Sequence, residues 1–136
     1  MKKHGAALLI LTMVAFTGIA YAQRGMTAQV PFDFIANGKT MPAGMCKIEI
    51  QDDGQAVVWI TSGNQHLLAL PLKEWSSSPS QKTALVFHKY RDRYFLAGLK
   101  REGLKETYEL RPGNVERELR AQTVEDRDIT VLASAE

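Results

Sequence analysis

The sequence predicts an all-β protein, a mostly antiparallel sandwich or small barrel of about seven or eight strands, with one short helix in the C-terminal region. Three observations favour this class. Apolar side chains recur at every second position along most of the chain after residue 22, as in strands that bury one face. Clusters of Gly, Pro, Asn and Asp interrupt the alternation at short intervals, as turns do. Only one stretch, beginning at Asn114, has helical spacing.

The chain begins with the pattern of a secretory signal peptide. Two lysines precede an uncharged apolar run over residues 6–20, and Ala20-Tyr21-Ala22 presents small residues where signal peptidase acts. The run of about 15 residues is shorter than the roughly 20 that span a bilayer. We therefore expect a signal peptide at 1–22, a single β-rich domain at 23–136, a periplasmic or extracellular location, and no transmembrane segment after cleavage. An uncleaved anchor is the alternative.

Composition limits the classes of partner. The chain has 17 Lys and Arg against 15 Asp and Glu, and two lysines fall in the predicted signal peptide, so the mature chain is formally neutral. Binding to nucleic acid needs a surplus of positive charge, so we expect no nucleic-acid partner.

Cys46 is the one cysteine, which excludes an internal disulfide. Its alternating surroundings favour a buried thiol, and a dimer linked through Cys46 is the remaining functional option.

The first predicted strand covers residues 28–34, where Ala28, Val30, Phe32 and Phe34 share one face. Pro31 cannot donate a ladder hydrogen bond, which predicts an edge strand or a bend. Turn residues follow at 37–38 and 42–44.

Residues 46–51 and 56–61 are predicted to form a hairpin through the turn at 52–54, and a further strand covers 66–72. Both 56–61 and 66–72 are apolar on two faces. Such strands must be covered on both sides by a second layer, a ligand in a lumen or a partner.

The clearest hairpin joins residues 83–90 and 94–99. His88, Tyr90, Arg91 and Tyr94 combine aromatic and basic groups near its turn, and they are the candidate binding residues, because such groups stack on and pair with an anionic sugar or a nucleotide base. The alternative is a turn whose tyrosines cap the core and whose charges face water.

The last third contains a short strand at 108–110, a break at Pro112-Gly113, and a helix of about two turns capped by Asn114 and ending near Gln122. A closing strand is predicted at 128–132.

No catalytic constellation is evident. The two mature histidines, His66 and His88, lack the close spacing of zinc ligands, and the chain has no Gly-x-Ser-x-Gly elbow and no Gly-rich phosphate loop. We therefore predict no catalytic residues, no metal and no cofactor. Trp59 and Trp75 are candidates for a carbohydrate platform, with core and rim packing as the alternative.

Five short phrases occur in order along the chain: PFDF at 31–34, MPAG at 41–44, LVFHKY at 85–90, YFL at 94–96 and EREL at 116–119. Together they resemble a family of small exported bacterial proteins that is abundant in soil acidobacteria and has no assigned activity. That family usually has tyrosine at the position of Cys46 and glycine at the position of Arg91. The resemblance implies an exported, single β-rich domain and no particular chemistry.

Together these observations predict a non-enzymatic exported domain that acts through binding a protein or small ligand or as a structural component. A lipocalin-like small barrel that holds an apolar ligand is the first alternative. A hydrolase is the second, and it requires His66 or His88 to lie within hydrogen-bond reach of a Ser or a carboxylate.

Overall fold

A computed structural model describes residues 24–122 and 127–135, and the predicted signal peptide lies outside them. These residues form twelve strands and one helix: β1 (Arg24–Val30), β2 (Phe34–Ala36), β3 (Lys39–Met41), β4 (Gly44–Asp52), β5 (Ala56–Ser62), β6 (Gln65–Ala69), β7 (Leu72–Trp75), β8 (Ala84–Tyr90), β9 (Arg93–Lys100), β10 (Glu106–Glu109), α1 (Asn114–Gln122), β11 (Arg127–Leu132) and β12 (Ser134–Ala135).

Two sheets form a sandwich, which confirms the predicted fold class. Sheet A has the order β12-β1-β4-β5-β6, and sheet B has the order β11-β8-β9-β10-β7. All pairings between the described strands are antiparallel except that of β2 with β9, and among these strands β3 pairs only with β2. Among the described strands neither sheet closes on itself, so the architecture is a sandwich and not a small barrel.

The core lies between the sheets and is formed mainly by alternate residues of the strands, with Met26 and Met41 added from outside the predicted strands. Each fully buried large aliphatic or aromatic side chain contributes about 1.5–3 kcal/mol. The largest residues of this core are Tyr108, Phe34, Phe87, Met26, Met41, Ile48, Ile50, Ile60, Leu85, Leu99 and Val30.

Two predicted strands each divide where the chain crosses between sheets, which is one reason why twelve strands are present where about seven or eight were expected. The run at 28–34 breaks after Val30, and β2 begins at Phe34 in sheet B. The bend is held by Asp33, whose Oδ1 accepts a hydrogen bond from the Ala43 N–H at 2.8 Å. The run at 66–72 likewise ends at Ala69, and the chain enters sheet B as β7.

The helix begins one residue earlier than predicted, because Asn114, the expected cap, is already helical. The Arg117 N–H donates to the Gly113 carbonyl at 3.0 Å, so Gly113 occupies the cap position and Asn114 is the first helical residue. The single described helix, with nine residues, falls well short of the length and apolar character needed to cross a bilayer.

Candidate ligand-binding site

The outer face of sheet B, which points away from sheet A, carries a second buried layer. Since Phe87 belongs to the core between the sheets, its neighbour His88 and then Tyr90 point outward. Phe95 pairs with His88 and shares that outer face. Tyr90 and Phe95 are only 0% and 6% exposed, and their ring centroids lie 5.7 Å apart. They are buried because α1 lies over this part of the sheet.

Polar contacts attach α1 to the sheet. Glu116 is the one buried residue of the helix, and its Oε1 lies 3.4 Å from Nδ1 of His88. Arg120 donates from Nε to the Tyr90 hydroxyl at 3.2 Å, while Asp128 of β11 lies 3.4 Å from the other nitrogen of His88. Val115, an apolar residue of the same helix, remains half exposed. A helix attached through long polar side chains does not pack tightly, and cavities remain beside it.

The larger of two described cavities, here called the α1 cleft, has a volume of about 340 Å³. It lies between the first turn of α1, the turn that joins β2 to β3, and the start of β9. Its apolar lining is Ile35, Phe95, Leu96, Pro112 and Val115, and its polar lining includes Asn37, Thr40, Arg93, Arg111 and Asn114. A second cavity of about 320 Å³ lies where Pro112 and Arg120 face the outer surface of sheet B.

The charge at the α1 cleft is mainly positive. Neither Arg93 nor Arg111 forms an ion pair with any residue in 24–122 or 127–135. The Arg93 guanidinium lies 5.6 Å from the centroid of the Phe95 ring, which orients it at the cleft wall. Glu116 also lines the cleft, but it is 4% exposed and its carboxylate contacts His88. Two guanidinium groups without an ion-pair partner among the described residues therefore line a cavity whose wall is partly apolar.

The four residues predicted as a binding cluster do not form one site. His88 and Tyr90 lie beneath α1, and Arg91 is exposed in the turn. Tyr94 pairs with Lys89 on the inner face, where its ring stacks on Phe32 at a centroid distance of 3.7 Å.

The residues of the cleft were not predicted from the sequence, because they come from distant parts of the chain. Arg93 was assigned to a turn, and Arg111 stands in a connection without a pattern of its own. The pairing of β9 with both β2 and β10 brings these segments together. The one usable signal was the Pro112-Gly113 break, which places a helix start close after Arg111.

His88 meets the distance condition that the hydrolase alternative set, but its contacts within the described residues supply no nucleophile. Each ring nitrogen of His88 faces a carboxylate, and within the described chain its recorded partners include no serine, threonine or cysteine. His66 is exposed on the outer face of sheet A, where Nδ1 lies 3.1 Å from the Thr61 hydroxyl and outside both cavities. The described residues contain no group of three His, Cys, Asp or Glu side chains placed to hold a metal ion.

The remaining predicted candidates lie elsewhere. Trp59 is 47% exposed on the outer face of sheet A beside Leu68, and Trp75 is 70% exposed on the edge strand β7, so core packing was wrong for both. Cys46 is fully buried between the sheets, and this burial raises the pKa of its thiol to about 11. It cannot reach a second chain unless the sandwich opens.

Comparison of the chain with protein-family models, with curated proteins and with solved structures finds no match.

Proposed function

We propose that the protein is an exported, non-enzymatic binding domain whose small ligand occupies the α1 cleft. The observation that carries the proposal is the cleft itself, a cavity of about 340 Å³ whose lining combines an apolar wall with several polar groups. Ligand sites are typically concave, mainly apolar and supplied with a small number of polar groups that fix orientation. The export part of the proposal depends on the signal-peptide pattern of residues 1–22.

The position of the cleft separates this proposal from a lipocalin-like one. A lipocalin holds its ligand inside a closed barrel. Here the space between the sheets is filled by side chains such as Phe34, Phe87 and Ile48. The ligand is therefore assigned to the outside of the sandwich, beneath a helix.

A disulfide-linked dimer forms no part of the proposal, because Cys46 is buried. A hydrolase is likewise not proposed: His88 lies near two carboxylates, but within the described residues its contacts include no serine, threonine or cysteine that could act as a nucleophile.

Native mass spectrometry of the protein purified from the envelope of its own cells tests the proposal. We expect an intact mass that starts at Gln23 and a non-covalent adduct of small mass. Val115→Trp places a large ring at the cleft and should remove the adduct, because Val115 lines the cavity and is half exposed. Leu132→Trp is the matched control, since Leu132 is similarly exposed but lines neither described cavity.

Three results would contradict the proposal. A chain that retains residues 1–22 would contradict export. A wild-type protein without an adduct, or an adduct that Val115→Trp retains, would contradict binding in the α1 cleft.

A further inference from the structure

We infer that the α1 cleft selects an anionic ligand, a carboxylate or phosphate monoester carried on an apolar body, with Arg93 and Arg111 binding the anionic group. This inference depends on the proposed function and names the class of ligand for the same site.

The first step is the charge balance of the cavity lining. Its charged residues are Arg93, Arg111 and Glu116. Glu116 is almost fully buried and contacts His88, so its charge is directed towards the sheet. The two arginines are exposed and have no carboxylate partner among residues 24–122 and 127–135. An anion that enters the cleft can therefore contact two guanidinium groups, and no ion pair between described residues has to break.

The second step is the geometry of the guanidinium group. Its planar array of N–H donors matches the paired oxygens of a carboxylate or phosphate, which permits two parallel hydrogen bonds. The Phe95 ring at 5.6 Å restricts Arg93 to the cleft wall. A restricted side chain loses less conformational freedom when it binds a ligand than a freely solvated one.

The third step is the apolar wall, which excludes a bare inorganic anion as the preferred ligand. Ile35, Phe95 and Val115 contribute aliphatic and aromatic surface beside the arginines. The cavity is large enough to hold several water molecules. Displacing this water with an apolar body is favourable, whereas a small anion would leave the wall hydrated.

Calorimetric titration of the mature protein with three probes tests the inference. The probes are 2-naphthoate, 2-naphthyl phosphate and neutral 2-naphthamide, which share one ring system. We expect at least one anionic probe to bind about ten-fold or more tightly than the amide, with the preference falling as salt rises. The relative affinities of the two anions identify which anionic group the cleft prefers.

Arg93→Gln and Arg111→Gln should each reduce the anion preference several-fold and leave amide binding little changed. Arg117→Gln is the matched control, because Arg117 is an exposed arginine of the same helix that does not line the cleft. Far-ultraviolet circular dichroism verifies that each variant is folded.

The outcomes separate the inference from the proposed function. Equal binding of the three probes to wild-type protein would overturn the inference and leave the cleft as a binding site. An anion preference that Arg93→Gln and Arg111→Gln retain, or that Arg117→Gln also loses, would overturn it as well. If no probe binds, the inference fails, while the adduct in native mass spectrometry and its loss in Val115→Trp decide the proposed function separately.

Discussion

At the scale of single residues, Arg91 has an unusual backbone. Its φ is 58°, and Asn37 is the only other described non-glycine residue with a positive φ. Asparagine tolerates this left-handed region, but a long side chain does so at a cost of about 1 kcal/mol or more. The resemblance noted in the sequence leads to an expectation of glycine here, which this conformation suits.

Arg91→Gly should therefore raise the free energy of unfolding by about 0.5–1 kcal/mol, because the release of strain exceeds the added freedom of the unfolded chain. Urea denaturation measures the change. Asp92→Gly is the control: its φ lies outside the left-handed region, so it should lower stability by a similar amount. Equal destabilisation by both substitutions would show that Arg91 is not strained.

Asp52 belongs to a polar cluster that connects the two sheets. Its carboxylate forms an ion pair with Lys73, whose ammonium also lies 3.3 Å from Glu106. The Tyr108 hydroxyl donates to Oδ2 of Asp52 at 3.2 Å. The hydrogen bond from Lys73 is the main cause that lowers the pKa of Asp52, and the hydrogen bond to Asp52 is the main cause that raises the pKa of Lys73.

This cluster predicts acid sensitivity. The pKa of Asp52 is lower in the folded than in the unfolded chain. Its contribution to the free energy of unfolding is therefore fully present above the unfolded pKa near 4, and it is lost as pH falls through the folded pKa. The stability difference between wild type and Asp52→Asn should therefore shrink between about pH 5 and pH 2. Urea denaturation across this range measures it. Lys73→Gln should remove most of the pH dependence, and a difference that is constant with pH would refute the assignment.

At the scale of elements, β6 is an edge strand whose outward carbonyls are capped by another hairpin. Nδ2 of Asn37 donates to the Leu68 carbonyl and Nζ of Lys39 donates to the His66 carbonyl, each at 3.0 Å. Both side chains come from the hairpin of β2 and β3, whose Asn37-Gly38 turn has two positive φ values. Capped carbonyls cannot pair with the edge of another molecule.

Removing these caps should increase self-association. The double variant Asn37→Gly with Lys39→Ala keeps a residue suited to positive φ and deletes both donors. Sedimentation velocity should show a larger average mass than wild type at the same concentration. Asn64→Gly with Lys47→Ala makes the same changes away from the β6 carbonyls. The edge-protection account is wrong if the two double variants sediment alike.

The strands of each hairpin could be predicted from the sequence, but the sheet that each strand joins could not. Alternation identified the hairpins that became β4–β5 and β8–β9, and the closing strand β11, because a buried face imposes the pattern locally. The same alternation continues through Pro31, although the chain there changes sheets. Periodicity reports which residues share a face and carries no information about which sheet a strand joins.

The candidate site shows the same limit. In the observed register Tyr90 pairs with Arg93, so Tyr90 and Tyr94 lie on opposite faces although they are close in sequence. Arg93 and Arg111 contribute to one cavity because β9 pairs with both β2 and β10. Such pairings depend on the complete arrangement of strands, which no local pattern contains.

At the scale of the whole molecule, the two sheets differ in their outer faces. Sheet B is covered by sheet A on one side and in part by α1 on the other, whereas sheet A presents Trp59 and Leu68 to solvent. The sandwich provides a rigid support, and α1 leaves a cavity because it is attached through Glu116 and Arg120. The central claim is that the ligand binds on the α1 side of the molecule.

Backbone amide chemical shifts, recorded by NMR during titration of the mature protein with 2-naphthoate, test this claim most directly. We predict that the largest changes lie at Ile35, at Phe95 and in the segment 111–116, with little change at Trp59 and Leu68. Changes centred on Trp59 and Leu68, or an unaltered spectrum, would contradict it.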